Sequence, residues 1–172
     1  MAPVFTDDSD STSMIKLDVL AFGAHPDDVE LGASGTLLKL ASQGKKTGIV
    51  DLTRGELGTR GSAELRDQEA AKAGEIMGLS ARENLAMPDG FFTHSEENIK
   101  KVITAIRSYQ PEVLLAPAIE DRHSDHGRGS KLVRDACFLS GLKKIKTSTT
   151  KYKENNPKNP ANTKSWNQTD KI

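Results

Sequence analysis

Between Lys16 and Leu142 short apolar runs alternate with longer amphipathic stretches, and no other feature restricts the fold as much. "LDVLAFGA" reads as a buried strand, and a helix follows from about Pro26 to Ser42, closed by "QGKK". "TGIVDLT" is a second strand. "SAELRDQEAAKAGEIMG" is a second helix, with Ser62 placed to cap it and Gly78 just past its end. "ENLAMPDG" supplies a third strand. Ser95, Glu96 and Glu97 open a third helix whose Ile99, Val102, Ile103 and Ile106 form one apolar stripe. "PEVLLAPA" is the fourth strand. After the charged loop "IEDRHSDHGRG" a fourth helix carries Leu132, Val133, Ala136, Cys137 and Leu139 on its inner side. Such alternation predicts an α/β fold, a Rossmann-like parallel sheet with helices on both faces.

The totals narrow the partners. The 172 residues allow one ordinary domain, and 24 basic residues balance 24 acidic ones, so no net field favours nucleic acid or an acidic membrane. The single Cys137 forms no internal disulfide and falls on an apolar stripe, as a buried thiol in a reducing, cytoplasmic setting would. No apolar run is long enough to span a bilayer, and "MAPVFTDDSDSTSM" lacks the character of a signal peptide. Residues 1–13 are expected to be a disordered leader, with Met14 a candidate natural start. The domain is expected over 14–146. Residues 147–172, rich in asparagine, lysine and threonine, are expected to form a disordered tail.

Three of the four histidines lie in two motifs, His25 in "HPDD" and His123 with His126 in "HSDH"; the fourth, His94, reads as an exposed loop residue. Pro26 and the two aspartates after it would suit a helix start with no other role. Topology argues for more. In a doubly wound sheet of order 3-2-1-4 the loops leaving strands one and four diverge and open a crevice, and both histidine motifs follow those strands.

Imidazoles and carboxylates at such a crevice suit zinc or another divalent ion such as Fe2+, and catalytic zinc commonly takes three protein ligands. His25 and Asp28, one helical turn apart, with His126 from the other loop, would make that set. Asp27 is then free to act as general base toward a metal-activated water. His123 would stabilise an oxyanion, with Asp125 orienting its imidazole. A nucleotide-binding alternative is disfavoured, because "GAHPDD" lacks the glycines that admit a pyrophosphate.

"AFGAHPDDVELGASGTL", "DLTRGELGTRGSAELRDQEA", "NLAMPDG" and "APAIEDRHSDHGRGSKLVRDA" together resemble the zinc-dependent PIG-L/LmbE-like deacetylases. The likeness runs from Lys16 to Lys144 and is strongest to the bacterial branch that deacetylates N-acetylglucosaminyl-malate in bacillithiol biosynthesis. It implies a metal-dependent hydrolase that removes an N-acetyl group from a small-molecule glucosamine derivative, in a family whose members often form homo-oligomers. It also implies His25, Asp28 and His126 as metal ligands, Asp27 as general base, and His123 with Asp125 at the oxyanion. Arg66 and Asp89 match positions used around the sugar, whereas Arg54, Glu56 and Arg60 read as exposed loop charges. The family's further strands, helices and tyrosine have no counterpart after the fourth helix, so a truncated or frame-shifted chain is expected. The alternative function is a catalytically inactive, metal-binding fragment of such an enzyme.

Overall fold

The computed structural model describes residues 15–147. The predicted leader lies outside them, as does the predicted tail apart from Thr147. Among the described residues the elements run β1 (Val19–Gly23), α1 (Asp28–Ser42), β2 (Thr47–Thr53), α2 (Ala63–Met77), β3 (Ala81–Met87), α3 (Glu96–Tyr109), β4 (Val113–Leu115) and α4 (Ser124–Ser140). The four strands are parallel in the order β3-β2-β1-β4, the order expected from the alternation.

The two central strands, β1 and β2, are buried along their whole length, so their side chains serve both faces. Val19, Ala21 and Ile49 pack with Val29 and Leu37 of α1 and Met77 of α2. On the opposite face Leu20, Phe22, Val50 and Leu52 meet Val102, Ile103 and Ile106 of α3 and Leu132, Val133 and Ala136 of α4. Helices therefore cover both faces, and the chain leaves β1 toward one face and β4 toward the other. That divergence opens the crevice.

Local chemistry sets the element ends. Ser62 Oγ accepts from the Leu65 amide and Ser95 Oγ from the Asn98 amide, so each caps its helix. Gly78 closes α2 in a left-handed conformation at φ 64°. Arg107 of α3 donates to the carbonyl oxygens of Ser140, Leu142 and Ile145, which fastens the chain that leaves α4.

Two helix starts differ from the sequence expectation. The first helix begins at Asp28 rather than Pro26, with Asp27 as its N-cap. The fourth begins at Ser124, inside the stretch read as a charged loop. Gly127 and Gly129 hide that start because they lower helix propensity. Packing overrides them: a Cβ on Gly129 would stand 3.0 Å from Leu52 Cδ1, so a small residue lets α4 lie close against the sheet. Consequently Asp125 and His126 occupy the first turn of a helix.

Candidate metal centre and active site

The strand-to-helix turn after β1 is closed by Asp28, whose Oδ2 accepts from the amides of Ala24 (2.9 Å) and His25 (3.0 Å). The same carboxylate faces two imidazoles. Its Oδ2 is 3.6 Å from His25 Nδ1 and its Oδ1 is 3.1 Å from His126 Nε2. Burial works against charge on Asp28, but hydrogen bonds from His25 and the charge of His126 outweigh it and hold the carboxyl below its usual range.

His25 is 8% exposed, and its Nε2 donates to Asp89 Oδ1 at 2.9 Å. Burial opposes a charged ring here too. The hydrogen bond and charge of Asp28, followed by those of Asp89, overcome it and push His25 up to about 9.

From the other side of the crevice α4 brings His123 and His126. His123 is the N-cap, and its Nδ1 accepts from the Asp125 amide at 3.3 Å. An Nδ1 used as acceptor leaves the proton of a neutral ring on Nε2, free to donate. Asp121 accepts from the His123 amide at 2.9 Å and lies 3.1 Å from His126 Nδ1, so it fixes the ring whose Nε2 faces Asp28. Asp121 was not singled out from the sequence; only its place two residues before a histidine motif marked it.

His25, His123 and His126 offer ligand atoms that all lie within 4.8 Å of one another. Three imidazoles with an adjoining carboxylate are a donor set that suits zinc or a similar divalent ion. The expected ligands His25, Asp28 and His126 are thus brought together, and His123 joins them more closely than expected. A second group, His25, Asp89 and Asp125, is also compact. Its members already hold hydrogen bonds: His25 Nε2 and Asp89 Oδ1 are 2.9 Å apart, and Asp125 accepts from the Gly90 amide and Arg128.

Asp27 has no place in either group. Its side chain is about half exposed, and its Oδ2 accepts from Arg66 Nη2 at 3.2 Å. Arg66 also donates to the Gly55 carbonyl at 3.3 Å. Its guanidinium therefore stands beside the candidate base rather than in open solvent.

One placement corrects the expected pairing of Asp125 with His123, and a second bears on the role expected of Asp89. The carboxylate of Asp125 does not pair with the imidazole of His123. It is fully buried, accepts from the Gly90 amide (2.8 Å) and from Arg128 Nη1 (2.7 Å), and lies 3.4 Å from His25 Nε2. The reason is helical: side chains two positions apart point in different directions. Asp89, expected at the sugar, is 7% exposed and spends Oδ1 on His25 and Oδ2 on the Leu57 amide.

Of the loop charges, Arg54 pairs with Asp67 and Glu64, and Glu56 Oε1 accepts from the Asp89 amide at 2.8 Å. His94 is exposed as expected and meets Asp135 at 2.7 Å.

The model of the PIG-L family, described as GlcNAc-PI de-N-acetylase, matches residues 20–137, which include both histidine motifs. The chain belongs to the PIG-L family. Among PIG-L relatives, diacetylchitobiose deacetylase of Thermococcus kodakarensis is 30% identical over 134 residues, covering 72% of this chain and 50% of that protein. The crystal structure of the conserved protein TT1542 from Thermus thermophilus superposes with a TM-score of 0.71 at 46% identity, over 74% of this chain and 58% of that one. N,N'-diacetylchitobiose deacetylase from Pyrococcus horikoshii gives a TM-score of 0.68 at 28% identity, over 80% and 55%. The chain thus spans between one half and three fifths of the length of these PIG-L relatives. No helix among the described residues is long and apolar enough to cross a membrane.

Proposed function

We propose that this chain carries the metal site and general base of an N-deacetylase acting on N-acetylglucosamine derivatives. The convergence of His25, Asp28, His123 and His126 beside a half-exposed Asp27 is the observation that supports it. His25, Asp28 and His126 would hold the ion, with His123 adjoining. When bound, a divalent ion supplies Lewis acidity and an acidified water. Asp27 takes a proton from the attacking water, and Arg66, which donates to its Oδ2, holds that carboxylate in place. His123 Nε2 donates a hydrogen bond to the amide oxygen as charge develops on it. The carbon–nitrogen bond then breaks, the nitrogen gains a proton, and acetate and a free amine leave.

The resemblance to the bacillithiol branch points to N-acetylglucosaminyl-malate as substrate, and the relatives to diacetylchitobiose as its competitor. A single, half-buried Cys137, whose thiol burial pushes up, fits the cytoplasmic setting of such a pathway. The test is release of primary amine from each compound by the purified chain with and without zinc. Zinc-dependent release from N-acetylglucosaminyl-malate upholds the reading. A folded chain that binds zinc and releases no amine from either compound would mean a metal-binding fragment without turnover.

A further inference from the structure

Nothing in the "MPDG" turn requires Asp89 to be buried, yet the structure takes trouble to turn it inward. The register of β2 with β3 shifts between Asp51 and Thr53, and Ala86 takes a φ of 48°. Asn84 holds this irregularity from both sides: its Nδ2 donates to the Thr53 carbonyl at 2.7 Å and its Oδ1 accepts from the Ala86 amide at 2.8 Å. Irregularities of this kind re-aim a side chain at a strand end. The chain then turns through Pro88 and Gly90, where the Phe92 amide donates to the Pro88 carbonyl at 2.8 Å.

Asp89 emerges from that turn held at three points. Its Oδ1 accepts from His25 Nε2 at 2.9 Å, its Oδ2 from the Leu57 amide at 3.0 Å, and its own amide donates to Glu56 Oε1 at 2.8 Å. The last two contacts are reciprocal, so the loop after β2 clasps the turn after β3. Such a carboxylate is poorly placed to reach a ligand in the crevice. It is well placed to fix an imidazole, because a hydrogen bond on one ring nitrogen decides which nitrogen is left to bind metal.

We propose that Asp89 is a positioning residue for His25: it holds the proton on Nε2, sets the ring plane and presents Nδ1 toward Asp28 and the ion. The proposal rests on the reading of His25 as a metal ligand. It departs from the sugar-binding role that the motif resemblance implies.

The test needs no turnover. Zinc affinity of the full chain is measured by competition with a chromophoric chelator, for wild type, Asp89→Asn and Glu56→Ala, alongside thermal unfolding of the metal-free proteins. Asp89→Asn leaves only a neutral amide against His25 Nε2, without the carboxylate charge that raises the basicity of the ring, and should bind zinc roughly 10–100-fold more weakly. A merely structural role would lower the unfolding midpoint and leave the zinc affinity of folded protein unmoved. Folded Asp89→Asn with wild-type zinc affinity would overturn the proposal.

If Asp89→Asn does not unfold cooperatively, Glu56→Ala decides, since it loosens Asp89 without replacing it. Weakened zinc binding then supports the proposal, and wild-type affinity overturns it. A wild-type chain that takes up no zinc fails differently, because it removes the metal centre itself together with this proposal.

Discussion

Asp28 Oδ1 lies 3.1 Å from His126 Nε2, joining the first turn of α1 to the first turn of α4 across the crevice. Asp28 also accepts two backbone amides through Oδ2, so replacing it with Ala would disturb the turn as well as the ion site. Asp28→Asn keeps an acceptor for those amides and removes the charge. Zinc affinity should fall by more than the roughly 10–100-fold expected for a ligand's outer partner, and His126→Ala should behave likewise. Equilibrium zinc competition on both variants checks this. Retained affinity in both would remove the two residues from the ligand set.

Asp27 is adjacent in sequence to Asp28 and chemically separate from it, because its carboxylate meets Arg66 and neither imidazole. Asp27→Asn should therefore bind zinc as wild type does while kcat falls by about 10²–10⁴. Steady-state amine release, measured beside zinc competition, reads both quantities. Full turnover in the variant would exclude Asp27 as the base.

Gly55 is placed by sterics. Its φ is +64°, and a Cβ there would stand 1.9 Å from Arg66 Nη1. Gly55→Ala must displace the guanidinium from Asp27 and should lower kcat as Arg66→Ala does. Left-handed strain should also destabilise the fold by about 1 kcal/mol. In an Arg66→Ala background the loss of kcat from Gly55→Ala should largely vanish, since the clashing group is gone. Additive losses of kcat in the double variant would show that Gly55 does not act through Arg66.

What could be read from the sequence was local or topological. "TGIVDLT" is β2 to the residue, and Ser62, Gly78 and Ser95 sit at the helix ends that their chemistry suits. The strand order follows from the alternation of elements, and with it the meeting of "HPDD" and "HSDH". Directions of individual side chains were not readable. Asp125 faces Gly90, Arg128 and His25 because α4 starts early and turns it inward. Asp89 faces His25 because β3 slips by a residue, which no pattern of side chains announces. Glu56 looks like an exposed loop charge until the turn it clasps is known.

Asp51 of β2 is 1% exposed and forms a two-pronged pair with Arg82, which also meets Glu30 in the first turn of α1. Burial dominates at Asp51. Arg82 opposes it, the charges of Glu30 and Asp28 reinforce it, and the carboxyl is pushed up to about 7 from an ordinary value of 3.8. One guanidinium between two carboxylates leaves a net negative charge in a buried site, and a proton on Asp51 relieves it. The folded state thus binds a proton that the unfolded chain has released, over the window from 3.8 to about 7. Stability contributed by this group is full below that window, declines as pH rises through it, and is lost above it. Asp51→Asn removes the titration and retains hydrogen bonding to Arg82. The stability of wild type relative to this variant should therefore fall between pH 4 and pH 7, as read by urea unfolding of the metal-free proteins across that range. A difference that stays flat or grows with pH would mean that Asp51 is ionised throughout and that its pairing with Arg82 outweighs its burial.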